Sequence, residues 1–306
     1  MFNILRQFTV LFLVLVLIGC SAQELFVKAI NYERSRANFS AKSVQLELGK
    51  ISYLDNGIEA DTAIILLHGF GGDKDNWNRF SAELDERSRI IVPDLPGHGK
   101  SVSNLNLGYS ISHQAEMLAA FLEKLGVSNI HIIGNSMGGA IALRYAVTHS
   151  QSIKSLTLID SLGITKIKSE FDTVVQKTGS NPMFDICTEE KLESLLRYGM
   201  HKPPYIPGIF MDYLVSQKCS RSEIEKIIYN EMREDSDLTE ILNFVTAQTL
   251  IIWGKRDRVI HVDNSYLLNS AIKGSDLIII DDAGHVPLLE TPEITGQLVD
   301  AFIKNL

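Results

Sequence analysis

Short apolar runs recur along this chain, and segments of helical periodicity stand between them. The runs are "AIILLHG" from Ala63, "RIIVPD" ending at Asp94, "NIHIIG" from Asn129, "SLTLID" from Ser155, "TLIIWG" from Thr249 and "LIIIDD" from Leu277. Few polar side chains interrupt them, which suits strands covered on both faces, as a parallel sheet requires. Helical spacing is clearest at 110–125, where Ala115, Leu118, Ala119 and Leu122 share a face. Residues 77–87, 137–148, 263–271 and 293–304 are read as helices too. Strand alternating with helix in this way predicts an α/β domain with a mostly parallel central sheet flanked by helices. Two alternating runs, 44–48 and 51–54, precede it and meet at Gly49-Lys50, the pattern of a hairpin. Asp55-Asn56-Gly57 reads as a further turn.

The alternation lapses after the sixth strand. From 162 to 245 only helical pieces are visible, with a proline-rich "HKPPYIPG" at 201–208. A stretch this long without strands predicts a helical cap on a core made of 43–161 and 246–306. A length of 306 residues, 45% hydrophobic and 22% charged, supplies a sizeable core for such a fold. A formal net charge of −8 argues against nucleic acid as a partner, because phosphate backbones select basic surfaces. Neither charge nor pattern fixes an oligomeric state.

The N-terminus is different material. Arg6 is followed by an apolar run over 8–18 and then by Gly19-Cys20. The run falls short of the roughly 20 residues a spanning helix needs, and it suits the h-region of an export signal. Leu17-Ile18-Gly19-Cys20 resembles the lipobox of bacterial lipoproteins, in which the cysteine is lipidated and becomes the mature N-terminus. The resemblance implies a signal peptide over 1–19 and a lipid anchor at Cys20 that holds the protein to a membrane of the bacterial cell envelope. Ser21, where Asp would retain a lipoprotein at the inner membrane, implies the outer membrane of a Gram-negative cell. An ordinary signal peptide with a chance cysteine is the competing reading. Residues 20–42 then form a membrane-proximal segment, helical over 22–39. Cys187 and Cys219 remain; in a disulfide-permissive compartment a bond between them and two buried thiols are both open.

"HIIGNSMGGAIAL", residues 131–143, sets Ser136 at the junction of a buried strand and a helix, fenced by Gly134, Gly138 and Gly139. A serine there either caps the helix or stands on a sharp turn as a nucleophile. The second role needs a base to take the hydroxyl proton and an acid to orient that base. Later strand ends supply both, His285 in "DDAGHVPLLETP" and Asp257 in "IIWGKRDRVI". Ser, Asp, His is the chain order that a serine on such a strand-to-helix turn calls for. Asp160, which also ends a strand, and Asp263 compete with Asp257; Asp281 and Asp282 are read as structural. Upstream, "LLHGFGGDKDNW" ends a strand in a glycine-rich loop. Its Phe70 N–H, with that of Met137, is placed to meet a developing oxyanion. His68 shapes that loop, His131 belongs to a buried strand and His98 to a turn. "DLPGHGKS" mimics the end of a phosphate-binding loop, but Asp94 stands where the first glycine belongs. No His-Glu-x-x-His or paired Cys-x-x-Cys points to a metal.

Taken together, "HGFGGDKDNW", "VPDLPGHGKS", "GNSMGG", "IIWGKRDRV" and "AGHVPLLE" resemble the α/β-hydrolase superfamily, most closely its monoacylglycerol lipase branch and related bacterial lipases. The resemblance covers residues 43–306 and implies cofactor-independent hydrolysis of acyl esters, small-molecule or lipid, by Ser136, His285 and Asp257. Two alternatives stand beside it: a carbon–carbon bond hydrolase of ring-cleavage dienoates, which also carries Gly-Asn-Ser-Met-Gly-Gly, and a binding lipoprotein that kept the fold without the chemistry. In the cap, Phe184, Tyr198, Tyr205, Phe210, Met211 and Tyr213 are candidates to line an acyl pocket, with packing of the cap as their other use. Phe70, Met137, Phe210 and Met211 are taken as the substrate-binding set.

Overall fold

The computed structural model describes residues 21–306; the signal peptide expected over 1–19 and the expected lipidation site Cys20 lie outside the described residues. The chain enters through helix α1 (Ala22–Arg36), started by a capping box in which Ser21 and Glu24 satisfy each other's main-chain N–H groups. Strands β1 (Ser40–Leu46) and β2 (Gly49–Asp55) follow as an antiparallel hairpin. Leu46 faces Gly49 in the register, so the turn is Glu47-Leu48 and not the expected Gly49-Lys50, and the first strand starts earlier than its apolar alternation suggested. The core units are β3 (Ala63–Leu67), a short α2 (Asn78–Ser81), β4 (Arg89–Pro93), α3 (Ile111–Leu125), β5 (Ile130–Asn135), α4 (Met137–Thr148) and β6 (Ile153–Ile159). The helix expected over 77–87 stops at Ser81. One reason is that the Asp85 N–H donates to the Asp300 carboxylate at 2.9 Å and so leaves the helical ladder.

Between β6 and β7 (Gln248–Gly254) the chain forms four helices: α5 (Glu170–Thr178), α6 (Glu189–Gly199), α7 (Met211–Ser220) and α8 (Ser222–Glu234). Among the described residues no strand interrupts them. Cys187 and Cys219 are joined as a disulfide, with Cα atoms 4.7 Å apart, which decides the open question of the two thiols. The bond ties the start of α6 to the end of α7, across 32 residues. On a chain-entropy view such a closure contributes about 3–4 kcal/mol. After β7 come α9 (Asp263–Ala271), β8 (Asp276–Ile280), α10 (Pro287–Glu290) and α11 (Pro292–Lys304).

All eight strands join one sheet in the order β1-β2-β4-β3-β5-β6-β7-β8, antiparallel at the hairpin edge and parallel from β4 to β8. Period-two side-chain alternation gives each face its own core. Ile65 and Leu67 pack with α3 and α4 on one side; Ile64 and Leu66 pack with Trp77, Phe80 and Val299 on the other. Each such aliphatic side chain contributes about 1.5–3 kcal/mol by leaving water, which is why the strands read as apolar throughout. The strand order reverses at β3, with β4 on one side and β5 on the other. Loops at the carboxyl ends of β3 and β5 therefore diverge around a crevice, the place where open α/β sheets bind ligands.

Candidate active site

Five of the loops at that sheet edge carry the residues that matter. Ser136 follows β5 directly and holds φ 54° and ψ −117°, a conformation rare for a residue with a side chain. Close packing explains the small neighbours. A Cβ on Gly134 would lie 2.2 Å from the Gly138 carbonyl oxygen, and one on Gly138 would lie 2.3 Å from that of Leu67. The Ser136 side chain makes no cap hydrogen bond to α4, so the capping role does not apply. Its Oγ instead lies 2.9 Å from His285 Nε2.

His285 stands in the loop after β8. Its Nδ1 lies 2.8 Å from Asp257 Oδ2, and Asp257 Oδ1 accepts the N–H groups of Val259 and Ile260 at 2.8 and 2.9 Å. All three side chains are buried, so their hydrogen bonds act in a low dielectric and hold one geometry. A carboxylate on Nδ1 fixes the tautomer that leaves Nε2 free to accept a proton from Ser136. The arrangement can therefore turn a weak hydroxyl into a nucleophile.

The other acids of this region do not bond the imidazole. Asp281 and Asp282 make surface ion pairs with Lys255 and Lys202, and Asp263 lies at the start of α9, beside His261. Asp160 is fully buried at the end of β6, beside the Asp257–His285 pair but not bonded to the imidazole. Among the described residues, Asp160, Asp257 and His285 form the one cluster close enough to share a cation. A cation there would have to break the His285–Asp257 hydrogen bond, so the donor set suits proton transfer better than a metal.

The loop after β3 is held by hydrogen bonds. His68 accepts the Leu95 N–H on Nε2 at 3.0 Å, which leaves its Nδ1 protonated to donate to the Gly69 carbonyl at 2.8 Å. Burial lowers the His68 pKa, and it lowers that of His98 further, with the His68 ring stacked edge-on at 5.0 Å. His131 pairs with Ser155 within the sheet. Lys218 Nζ, reaching from the cap, donates to the Gly71 carbonyl at 3.2 Å. Among the described residues, the N–H groups of Phe70 and Met137 meet no acceptor. Two unpaired donors beside Ser136 are what an oxyanion would need.

Beside Ser136 lies a cleft that opens to solvent. Its apolar wall includes Phe70, Leu162, Phe171, Met183, Tyr229 and Met232. Of the substrate-binding set Phe70 lines it, next to Ser136; Met137 is buried in the core, and Phe210 and Met211 do not line the cleft either. Phe210 packs edge-on against Phe26 of α1 at 5.5 Å, and Met211 is buried with Ile186 and Leu192 inside the cap. Tyr213 also packs on Phe26, Tyr205 faces solvent, Tyr198 stacks under Arg258 and Phe184 meets Tyr229 edge-on. The sequence carried one usable signal for the lining residues. Ile224, Ile228 and Met232 recur at i, i+4 and mark the inward stripe of α8, to which Tyr229 is adjacent.

Comparison with known proteins shows the family. Residues 62–292 match the family model of the alpha/beta hydrolase fold. Lipase 1 of Psychrobacter immobilis is 33% identical over 279 residues, covering 90% of this chain and 87% of its own. A monoacylglycerol lipase of Xenopus laevis is 30% identical over 256 residues, covering 80% and 76%. The crystal structure of a membrane phospholipase A, a bacterial virulence factor, superposes with a TM-score of 0.90 at 34% identity, covering 100% of this chain and 99% of that one.

Proposed function

This chain belongs to the α/β-hydrolase family, a hydrolase of the lipase and esterase kind, and from that premise we propose that it is a serine hydrolase of lipid acyl esters such as monoacylglycerols. The hydrogen-bonded run Ser136 Oγ–His285 Nε2 and His285 Nδ1–Asp257 Oδ2 carries the reading. Ser136 attacks the acyl carbonyl while His285 takes its proton. Phe70 and Met137 N–H groups hold the oxyanion, and one such donor contributes about 3 kcal/mol to the transition state. His285 then returns the proton to the leaving alcohol, and Asp257 stabilises the charged imidazole in between. Water, activated by the same histidine, releases the fatty acid. The apolar lining of the cleft and the names of the relatives support a lipid acyl group. Lipidation of Cys20 would keep the enzyme at a membrane of the cell envelope, where such esters lie.

Fluorophosphonate labelling joined to an ester panel tests the reading. The probe should label wild type at Ser136 and leave Ser136→Ala unlabelled. Ser136→Ala and His285→Ala should each lower kcat on p-nitrophenyl esters by on the order of 10⁶, and the double variant little further. No labelling would indicate a binding protein; turnover of a ring-cleavage dienoate without ester turnover would indicate the carbon–carbon hydrolase.

A further inference from the structure

Asp160 is the acid beside the Asp257–His285 pair that the proposed chemistry leaves unused. It follows β6, holds φ 44° and is completely buried. Its main-chain N–H donates to the Ile252 carbonyl at 3.0 Å, and its Oδ1 accepts the Gly254 N–H at 2.9 Å, so the carboxyl lies across the tip of β7. Oδ2 is shut off from solvent and, among the described residues, has no hydrogen-bond partner. An oxygen of Asp160, an oxygen of Asp257 and a ring nitrogen of His285 lie within 4.8 Å of one another.

Two carboxyls this close cannot both ionise out of contact with water. Asp257 is the one supplied for charge, with two N–H donors on Oδ1 and the imidazole on Oδ2. Asp160 has one N–H donor and an empty oxygen. We propose that Asp160 is a positioning residue that keeps its proton and presents the Oδ2 hydroxyl to the Asp257 carboxylate, fixing that carboxylate against His285. The inference rests on the assignment of Asp257 as the acid. Burial first, and then the charge of Asp257, hold the Asp160 carboxyl well above the usual range. The titratable groups facing it are Asp257, His285 and, from α10, Glu290, whose charge acts in the same direction. A hydroxyl donated to Asp257 spreads its negative charge. Without it, Asp257 would bind the His285 proton more tightly and His285 would be a poorer base below neutral pH.

Infrared titration of the Ser136→Ala protein reads the proton directly and needs no turnover. A protonated-carboxyl stretch should persist at neutral pH, vanish with Asp160→Asn and titrate at lower pH with Asp257→Asn, which removes the neighbouring charge. In the active enzyme, Asp160→Asn keeps a neutral donor and should retain kcat/KM to within about 3-fold. Asp160→Leu should lower kcat about 10- to 100-fold with KM little changed, and should move the acid limb of kcat/KM to higher pH. A neutral-pH spectrum without that band, or an Asp160→Asn variant as impaired as His285→Ala, overturns the proposal. If the band behaves as stated but no ester is turned over, the proton assignment stands and the hydrolase reading falls.

Discussion

His285 donates its main-chain N–H to the carbonyl of Gly199 at 2.9 Å, so the residue that bonds Ser136 is held by the cap as well as by the sheet. Glu290 strengthens the junction. Its carboxylate accepts the N–H groups of Gly284 and Val286 in the His285 loop at 2.9 and 3.2 Å, and those of His201 and Lys202 in the cap at 2.7 and 2.9 Å. From the other side, Asn135 Nδ2 donates to the His285 carbonyl at 3.2 Å. The imidazole is thus fixed by the residue before Ser136 and by the end of α6 together.

Glu290→Ala leaves those N–H groups without their acceptor. The expected loss is about 2–4 kcal/mol of stability, since bonds to a charged acceptor contribute about 1.5–3 kcal/mol each and water recovers part of the set. We expect kcat to fall about 10- to 100-fold, because His285 loses its set distance to Ser136. Glu290→Gln keeps one accepting oxygen and should fall between the two. Denaturant titration and initial rates on a short ester measure both quantities; wild-type rates in Glu290→Ala would mean that the Gly199 contact suffices.

The cleft assigns acyl-chain selection to residues other than those the sequence favoured. Phe171 and Met232 line it, whereas Phe210 lies against Phe26 and Met211 lies inside the cap. Phe171→Ala or Met232→Ala should shift preference across a series of p-nitrophenyl esters toward longer or bulkier chains by about 10-fold, the discrimination that a few methylenes give. Phe210→Ala should leave the profile in place and lower stability only. A profile moved by Phe210→Ala and untouched by Phe171→Ala would reverse the assignment.

Why the first set was missed has a physical reason. The strands were legible because burial on both faces forces an unbroken apolar run, as at Ile64–Leu67, and the strand ends were legible because Gly134 and Gly138 cannot be replaced where backbones touch. Ser136, Asp257 and His285 each sit next to such a strand end, so their positions could be read without knowing any distance. A helix in the cap gives no comparable marker. Phe171 and Phe210 are both cap aromatics at helix starts, and only the packing of α1 on the cap separates the one that lines the cleft from the one that is covered. The partners of Glu290 were illegible for a similar reason. Four main-chain groups, two of them in the cap loop near 201, leave no trace in side-chain identity.

Asp73 should make stability depend on pH. Burial first, then the charges of Asp75 and Asp94, push its carboxyl up to about 6. A folded-state value above the unfolded one means that the native protein binds this proton more tightly. Stability from this group is therefore present at low pH and is lost as pH rises from about 4 to about 6. Asp73→Asn keeps an oxygen for the Asp75 N–H, which Asp73 accepts at 2.8 Å, and removes the charge. Relative to wild type, the variant should gain about 1–2 kcal/mol across that window and no more above it; the gain is below the full shift because Asp73 keeps some contact with water. Denaturant melts at several pH values check this, and a pH-independent difference would rule it out.

Cys20, the expected lipidation site, lies outside the described residues. The described chain begins at Ser21 with a capped helix whose Phe26 packs on Phe210 and Tyr213 of the cap, so a tether on Cys20 would be only a few residues from that contact. Each buried CH₂ of an acyl chain contributes about 0.8 kcal/mol, so one chain holds a protein marginally and two or more hold it stably. Cys20→Ser should abolish lipidation and release the protein from membranes. Ser136, His285 and Asp257 are bonded to one another within the described residues. A chain starting at Ser21 should therefore hydrolyse a short, water-soluble ester at close to the wild-type rate. On long-chain lipid presented in vesicles it should be slower, because delivery to the surface is lost while the chemistry is kept. Fractionation with intact mass measurement decides the matter: wild-type protein recovered in the soluble fraction, with no mass added at Cys20, would remove the lipoprotein reading and leave the hydrolase untouched.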